Sequence, residues 1–206
     1  VAKYKTEQEE FWTGEFAAHY MERNKELDLV GSKAALWTKA LSRASDIGSV
    51  MEYGSNIGLN IQALQSIMPN VQYSAVDINP DVVDEFTRRC GFAPHIGSLL
   101  DYQTTERFDL TFCCGVLIHI NPDHLSSVYD LLYTTSNKYI VVAEYYNPTP
   151  VTVNYRGHAD RLFKRDFAGE MLGKYQNLSL VDYGFIYHRD PMFPLDDLTW
   201  FLLEKR

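Results

Sequence analysis

Along the first part of the chain apolar positions recur at helical intervals, and from Ser49 onward they gather into short runs separated by helical stretches. Thr6-Glu7-Gln8-Glu9 has the spacing of a capping box, in which the Thr hydroxyl and the Glu carboxylate satisfy orphan backbone donors, so a helix is expected to begin near Glu7. Phe11, Trp12, Phe16 and Tyr20 follow at helical spacing, an aromatic stripe that must pack on something or cover a pocket. Gly31-Ser32 restarts the chain, and Ala34 to Leu41 reads as a second helix.

The later apolar runs have the form of strands in a parallel sheet covered on both faces. They predict strands near 49–54, 71–77, 92–97, 108–114 and 138–145, with helices at 58–68, 80–90 and 122–135 between them. A further helix near 163–174 precedes strands near 178–187 and 197–204, and no helical pattern separates that last pair, which is therefore expected to be antiparallel. The expected fold is α/β, a Rossmann-like doubly wound sheet of seven strands, the last pair antiparallel. All 206 residues form one expected domain, with an N-terminal helical cap over 1–45 and the core over 46–206. Asn147-Pro148-Thr149-Pro150 and Asp190-Pro191-Met192-Phe193-Pro194 punctuate loops, because periodic structure resumes on both sides of each.

Charge narrows the partners. Nineteen Lys and Arg against 27 Asp and Glu give a formal charge of −8, which repels nucleic acid and anionic membrane over most of the surface. Cys90, Cys113 and Cys114 suggest neither a disulfide framework nor a metal set, and a reducing compartment is expected. The most apolar window, Phe108 to Ile120, is too short to span a bilayer and contains Asp109 and His119. Val1 to Glu10 lacks the apolar stretch of a secretory signal, so a cytoplasmic location is the expectation; oligomeric state is not legible.

The chemistry gathers at one edge of the expected sheet. Met51-Glu52-Tyr53-Gly54-Ser55-Asn56-Ile57-Gly58 closes the first strand and opens the first helix, where a doubly wound fold binds its ligand. Two glycines four apart allow a tight turn and close approach. A nicotinamide or flavin fingerprint would place glycine at its third and sixth positions, which here are Asn56 and Leu59. Glu52 stands two residues before the first glycine, where it suits an ammonium group rather than a pyrophosphate. Asp77, at the end of the second strand, suits the two hydroxyls of a ribose. Acid, glycine turn and second acid together describe an aminoacyl-nucleoside.

Through Glu52-x-Gly54-x-Asn56-x-Gly58, Asp77 and the terminal hairpin the chain resembles the class I S-adenosylmethionine-dependent methyltransferases over roughly Ser49 to Arg206. Glu52 to Asn60, Gly115 to Pro122, Tyr155-Arg156-Gly157-His158, Phe163 to Leu172 and Tyr187-His188-Arg189-Asp190-Pro191 resemble, more narrowly, the methylases associated with pseudaminic acid biosynthesis. The resemblance implies the strand order 3-2-1-4-5-7-6 and S-adenosylmethionine as cofactor. It puts Glu52 and the turn Gly54, Ser55, Asn56 and Gly58 around the methionine portion, Asp77 on the ribose and Ile78 on the adenine face. Ser98, followed by Leu99, stands where many class I enzymes carry an acid for the adenine amino group, leaving a hydroxyl or a backbone carbonyl to serve. Cys114 and Gly115 would lie along the cofactor, Asn56 would add a side-chain hydrogen bond, and Tyr20 and Arg23 would cross it from the leading helix, Arg23 toward the methionine carboxylate.

For the acceptor, His119 just beyond the fourth strand is the expected proton acceptor, with Glu144 and Tyr145 at the end of the fifth strand facing the same edge. Arg156, His158, Arg161, Lys164 and Arg165 form a basic concentration between the fifth strand and the next helix, implying an anionic small-molecule acceptor; Tyr187 would add to that site. By resemblance the acceptor is a nonulosonic acid sugar or a precursor of one, methylated on oxygen or nitrogen. Two rival readings stand beside this one. They are a nucleotide-dependent oxidoreductase, against which Leu59 at the sixth position counts, and a cofactor-binding partner subunit without turnover.

Overall fold

A computed structural model describes residues 4–26 and 29–206. Three helices lead: α1 (Glu7–Phe11), α2 (Glu15–Glu26) and α3 (Val30–Ala40). The capping box forms in both directions, with the Thr6 hydroxyl accepting from the Glu9 amide at 3.2 Å and the Glu9 carboxylate accepting from the Thr6 amide at 3.2 Å.

The doubly wound core follows as β1 (Ser49–Tyr53), α4 (Leu59–Ile67), β2 (Gln72–Asp77), α5 (Val83–Cys90), β3 (His95–Ile96), β4 (Phe108–Cys114), α6 (Leu125–Thr135) and β5 (Ser136–Glu144). Then come a hairpin, β6 (Val151–Tyr155) and β7 (His158–Lys164), and finally α7 (Phe167–Lys174), β8 (Leu178–Ile186) and β9 (Leu198–Lys205). The seven-stranded sheet runs β3-β2-β1-β4-β5-β9-β8, with β9 antiparallel to both neighbours, which is the expected order. Adjacent strand residues point to opposite faces, so each strand feeds two cores. Val50, Phe112, Val141 and Leu202 meet Leu36 and Trp37 of α3, Leu64 of α4 and Phe86 of α5. Met51, Cys113, Val142 and Leu203 meet Val128 and Leu132 of α6 and Met171 of α7. That two-sided burial is why the strands read as unbroken apolar runs.

Two expectations need correction. The strand expected over 92–97 pairs only at His95 and Ile96, because Pro94 has no N–H to donate to the ladder. The stretch before α7, expected to be loop and helix, is the β6–β7 hairpin. Its turn, Arg156-Gly157, has both residues at positive φ (+50° and +90°), the geometry that suits a two-residue hairpin loop. The helix expected from 163 begins at Phe167, where the Asp166 carboxylate accepts from the Gly169 amide at 2.8 Å.

Candidate functional site

The turn after β1 is shaped by its two glycines. Gly54 and Gly58 lie at φ +81° and +82°, and a Cβ at Gly54 would fall 2.5 Å from a Val116 methyl, one at Gly58 2.5 Å from Cys90 Sγ. Asn56 also adopts a left-handed conformation, at φ +47°. Its carboxamide oxygen accepts from the Ile57 amide at 2.7 Å, so this atom helps to shape the turn. Asp77 braces the same turn, one oxygen accepting from the Asn56 amide at 2.6 Å and the other from the Asn79 amide at 2.9 Å. Burial raises its pKa while these amides oppose the rise.

Above the carboxyl ends of the strands lies a cleft with about 940 Å³ of empty space, open mouth included. Of the expected cofactor contacts, Tyr20, Gly54, Asn56, Asp77, Ile78, Leu99, Cys114 and Gly115 line it. Glu52, Ser55, Gly58 and Arg23 do not line it; Arg23 lies over the rings of Phe16 and Tyr20, 5.8 and 5.5 Å away. Ser98 is also set back from the cleft, its hydroxyl donating to the Glu9 carboxylate.

Several polar atoms here are buried and find no hydrogen-bond partner among the described residues: Glu52 Oε2, Ser55 Oγ, Arg23 Nη2 and Trp12 Nε1. Buried polar groups are nearly always satisfied, so unpaired atoms on the turn and the leading helices are candidate partners for a ligand's polar groups. They comprise an acceptor at Glu52 and donors at Arg23 and Trp12, of which Trp12 lines the cleft itself. Glu52 is fully buried, with its other oxygen accepting from the Asn60 side-chain Nδ2 at 2.7 Å; burial pushes its pKa up to about 8 against the opposing pull of Asn60 and Lys33. Lys33 reaches in from α3 to donate to Asn60 at 2.9 Å. Burial likewise raises the Cys114 thiol to about 11, keeping it neutral. Among the described residues no cluster of His, Cys, Asp and Glu could hold a metal ion, and no helix is long and apolar enough to cross a membrane.

His119 lines the cleft and is 9% exposed, packed on the rings of Trp12 and Tyr155 at 4.5 and 5.1 Å. Its Nδ1 bonds the Arg161 carbonyl oxygen at 2.6 Å, and burial lowers its pKa to about 4. The aromatic stripe of α1 and α2 closes over this side, with Phe16 edge-on to Tyr155 and Phe11 and Phe16 against His158.

Glu144 does not face an acceptor. It is 2% exposed, and its carboxylate accepts from the amides of Val116, Leu117 and Ile118 at 2.9, 2.9 and 3.4 Å, anchoring the loop that carries His119. Burial still raises its pKa to about 7. Tyr145 lies near Tyr20 and Tyr155 with its hydroxyl bonded to Asp196, and burial raises its pKa.

The basic concentration is largely engaged by internal partners. Arg161 pairs with Glu7 at 3.1 Å, Arg165 with Glu170 at 3.1 Å, and Lys164 lies over the Tyr145 ring at 5.1 Å. Arg156 and His158 are exposed on the hairpin. Tyr187 sits apart from the cleft, near Phe185 and His188 at the β8–β9 end, so it does not join the site as expected.

Sequence reasoning missed the contribution of α1. Thr6, Gln8, Glu9 and Trp12 roof the cleft. Gln8 donates to the Asp160 carbonyl at 2.9 Å and accepts from Asn121 at 3.3 Å. Only the aromatic stripe hinted at a covering role.

No protein-family model matches the chain, and no curated protein sequence does either. Solved structures do match. Magnesium protoporphyrin IX methyltransferase from Synechocystis PCC 6803 with bound S-adenosylhomocysteine superposes at a TM-score of 0.67 with 15% identity, covering 96% of this chain and 98% of that one. The amino pentose methyltransferase CalS10 from Micromonospora echinaspora, bound to S-adenosylmethionine, gives 0.67 with 9% identity, covering 92% and 97%. The N-methyltransferase NodS from Bradyrhizobium japonicum WM9, in complex with S-adenosylhomocysteine, gives 0.66 with 16% identity, covering 91% and 97%. The chain therefore has the Rossmann-like fold of the class I methyltransferases.

Proposed function

We propose that this protein is an S-adenosylmethionine-dependent methyltransferase acting on a small-molecule acceptor. The observation that carries the reading is the glycine turn at the cleft braced by Asp77, with an unsatisfied buried carboxylate oxygen, Glu52 Oε2, on the strand that leads into it; an unsatisfied guanidinium nitrogen, Arg23 Nη2, lies on α2 against Tyr20. These residues fit an amino-acid moiety joined to a ribose. Glu52 would balance the ammonium, Arg23 and Tyr20 the carboxylate, and Asp77 the ribose hydroxyls, with Ile78 and Leu99 against the base and Cys114 and Gly115 along the chain between. When bound, S-adenosylmethionine supplies a methyl group on a positively charged sulfur.

The protein's own task is then to orient the acceptor and remove its proton. In our reading His119 does the second. Because Nδ1 faces a carbonyl, it carries the ring proton, and Nε2 keeps a lone pair. A group with a pKa near 4 is a weak base at rest, but an acceptor oxygen or nitrogen becomes strongly acidic as it gains a methyl, so a weak, correctly placed base suffices. Trp12 Nε1 offers a donor on the same side. Tyr145 would line the far end.

For the acceptor class we propose a nonulosonic acid-type sugar or its nucleotide-linked or amino-sugar precursor. This rests on the sequence resemblance and on Arg156, whose exposed guanidinium lies 5.9 Å over the Tyr155 ring. Calorimetric titration with S-adenosylmethionine, S-adenosylhomocysteine and NADH tests the cofactor; tight NADH binding without the sulfur nucleosides would overturn it. An acceptor panel followed by S-adenosylhomocysteine release tests the substrate, and Arg156→Ala should raise the acceptor's KM while sparing cofactor affinity. The reverse pattern would remove the sugar assignment.

A further inference from the structure

We propose that Lys33, on α3, is a positioning residue for the ligand: acting through Asn60 on Glu52, it sets which carboxylate oxygen, in which charge state, meets a ligand ammonium. This rests on the methyltransferase reading of the cleft and concerns residues that do not line it. Asn60 Oδ1 accepts from Lys33 Nζ at 2.9 Å and from Trp37 Nε1 at 3.3 Å. Both partners only donate, so the carboxamide cannot turn over, and its Nδ2 is held toward Glu52 Oε1 at 2.7 Å. Oε1 must therefore accept. Any proton that the carboxyl carries sits on Oε2, the oxygen that finds no partner among the described residues.

Trp37 alone would fix the amide, so orientation does not account for a lysine at this place. What Lys33 adds is charge. Half-buried on its helix, it makes no ion pair among the described residues and gives its ammonium to a neutral amide oxygen. The other groups acting on or acted on by Glu52 are Asn60 from α4, Asp77 from β2, Cys90 from α5, and Cys113 and Cys114 from β4. Asp77 opposes ionisation of Glu52, and the three thiols stay neutral, burial raising each of them. Among the described residues Lys33 is the one cation that favours the carboxylate, against the burial that pushes its pKa up to about 8. A ligand ammonium requires the Oε2 proton to leave for solvent, and a nearby positive charge lowers the cost of that departure.

The test is calorimetry on the full chain with S-adenosylhomocysteine from about pH 6 to about pH 9. Lys33→Met keeps the apolar stem and leaves Trp37 to hold Asn60. Its rise of affinity with pH should sit about one unit higher, so that binding is about tenfold weaker near pH 7 and within about twofold of the unaltered protein near pH 9. Lys33→Arg, which keeps the charge, should restore the original profile. In unliganded carbon-labelled protein the Glu52 carboxyl resonance should likewise titrate about one unit higher in Lys33→Met. Lys33→Gln decides the matter by the same readouts if Lys33→Met does not fold. An equal loss of affinity at every pH, an unmoved carboxyl titration, or a Lys33→Arg protein that behaves as Lys33→Met does would overturn the proposal and leave Lys33 a structural residue. If the unaltered protein binds no S-adenosylhomocysteine, the methyltransferase reading falls and takes this inference with it, whereas binding that ignores the charge at position 33 sinks this inference alone.

Discussion

His119 donates from Nδ1 to the carbonyl oxygen of Arg161 across 2.6 Å, tying the loop after β4 to β7 and leaving Nε2 free beside the cleft. Its folded pKa of about 4 lies below the ordinary 6.5, so between those values the unfolded chain binds more protons than the folded one. Stability should fall as pH drops from about 6.5 toward 4, by about 3 kcal/mol at the limit from this residue. His119→Asn keeps a donor for the carbonyl but cannot titrate. Urea unfolding at a series of pH values should therefore give a flatter acid limb for the variant, and identical slopes would refute the burial argument. The same variant should lower kcat by about 10²-fold with cofactor affinity nearly intact.

Glu52 titrates in the other direction. Its pKa of about 8 means that near neutrality the unliganded side chain is mostly protonated, and as pH rises from the unfolded value through 8 its burial costs increasing stability. A ligand ammonium beside it favours the ionised form, so S-adenosylhomocysteine binding at pH 7 should release on the order of one proton, and affinity should rise with pH toward 8. Binding enthalpies measured in buffers of different ionisation heat will read the proton directly. Glu52→Gln should abolish the release; a release that survives the substitution would assign it to another group.

Glu144 supports three amides at once, so truncation leaves them buried and unpaired. Glu144→Ala should cost at least about 3 kcal/mol in denaturant unfolding, and Glu144→Gln, which keeps one carbonyl oxygen, distinctly less. Equal losses would argue against the anchoring role.

Gly54 and Gly115 make a controlled comparison. Both have positive φ, but a Cβ at Gly115 meets nothing within 4 Å, whereas one at Gly54 strikes both Val116 methyls at 2.5 and 2.9 Å. Gly115→Ala should cost only the left-handed penalty of about 1–2 kcal/mol. Gly54→Ala should cost markedly more, and adding Val116→Ala should recover part of the difference in thermal unfolding. Strict additivity of the two substitutions would show that the methyls are not the obstacle.

The strands were legible because they alternate with helical stretches, and two-sided burial writes their apolar runs plainly into β1, β4 and β5, while their order came with the family resemblance. The capping box and the glycine turn were legible for the same reason: their partners lie within a few residues or at the next strand end. The hairpin escaped, although Val151-Thr152-Val153 before Arg156-Gly157 carries a strand-and-turn signal, because its basic side chains drew the reading toward a ligand. Their partners were out of reach of sequence: Arg161 meets Glu7 across 154 positions. Gln8 was hidden likewise, its partners Asn121 and Asp160 lying 113 and 152 positions away. Glu144 read as a strand-end acid facing the acceptor, and only the path of the loop after β4 shows what it binds.

One helix of five residues spans the cleft, fastened by neighbouring side chains to opposite banks: Glu9 to Ser98 after β3, Gln8 to Asn121 after β4 and to β7. A guest lying beneath it departs only when both moorings let go, and each lost mooring exposes partners that water must then satisfy. If the cleft holds the proposed cofactor, its exchange waits on the release of both moorings.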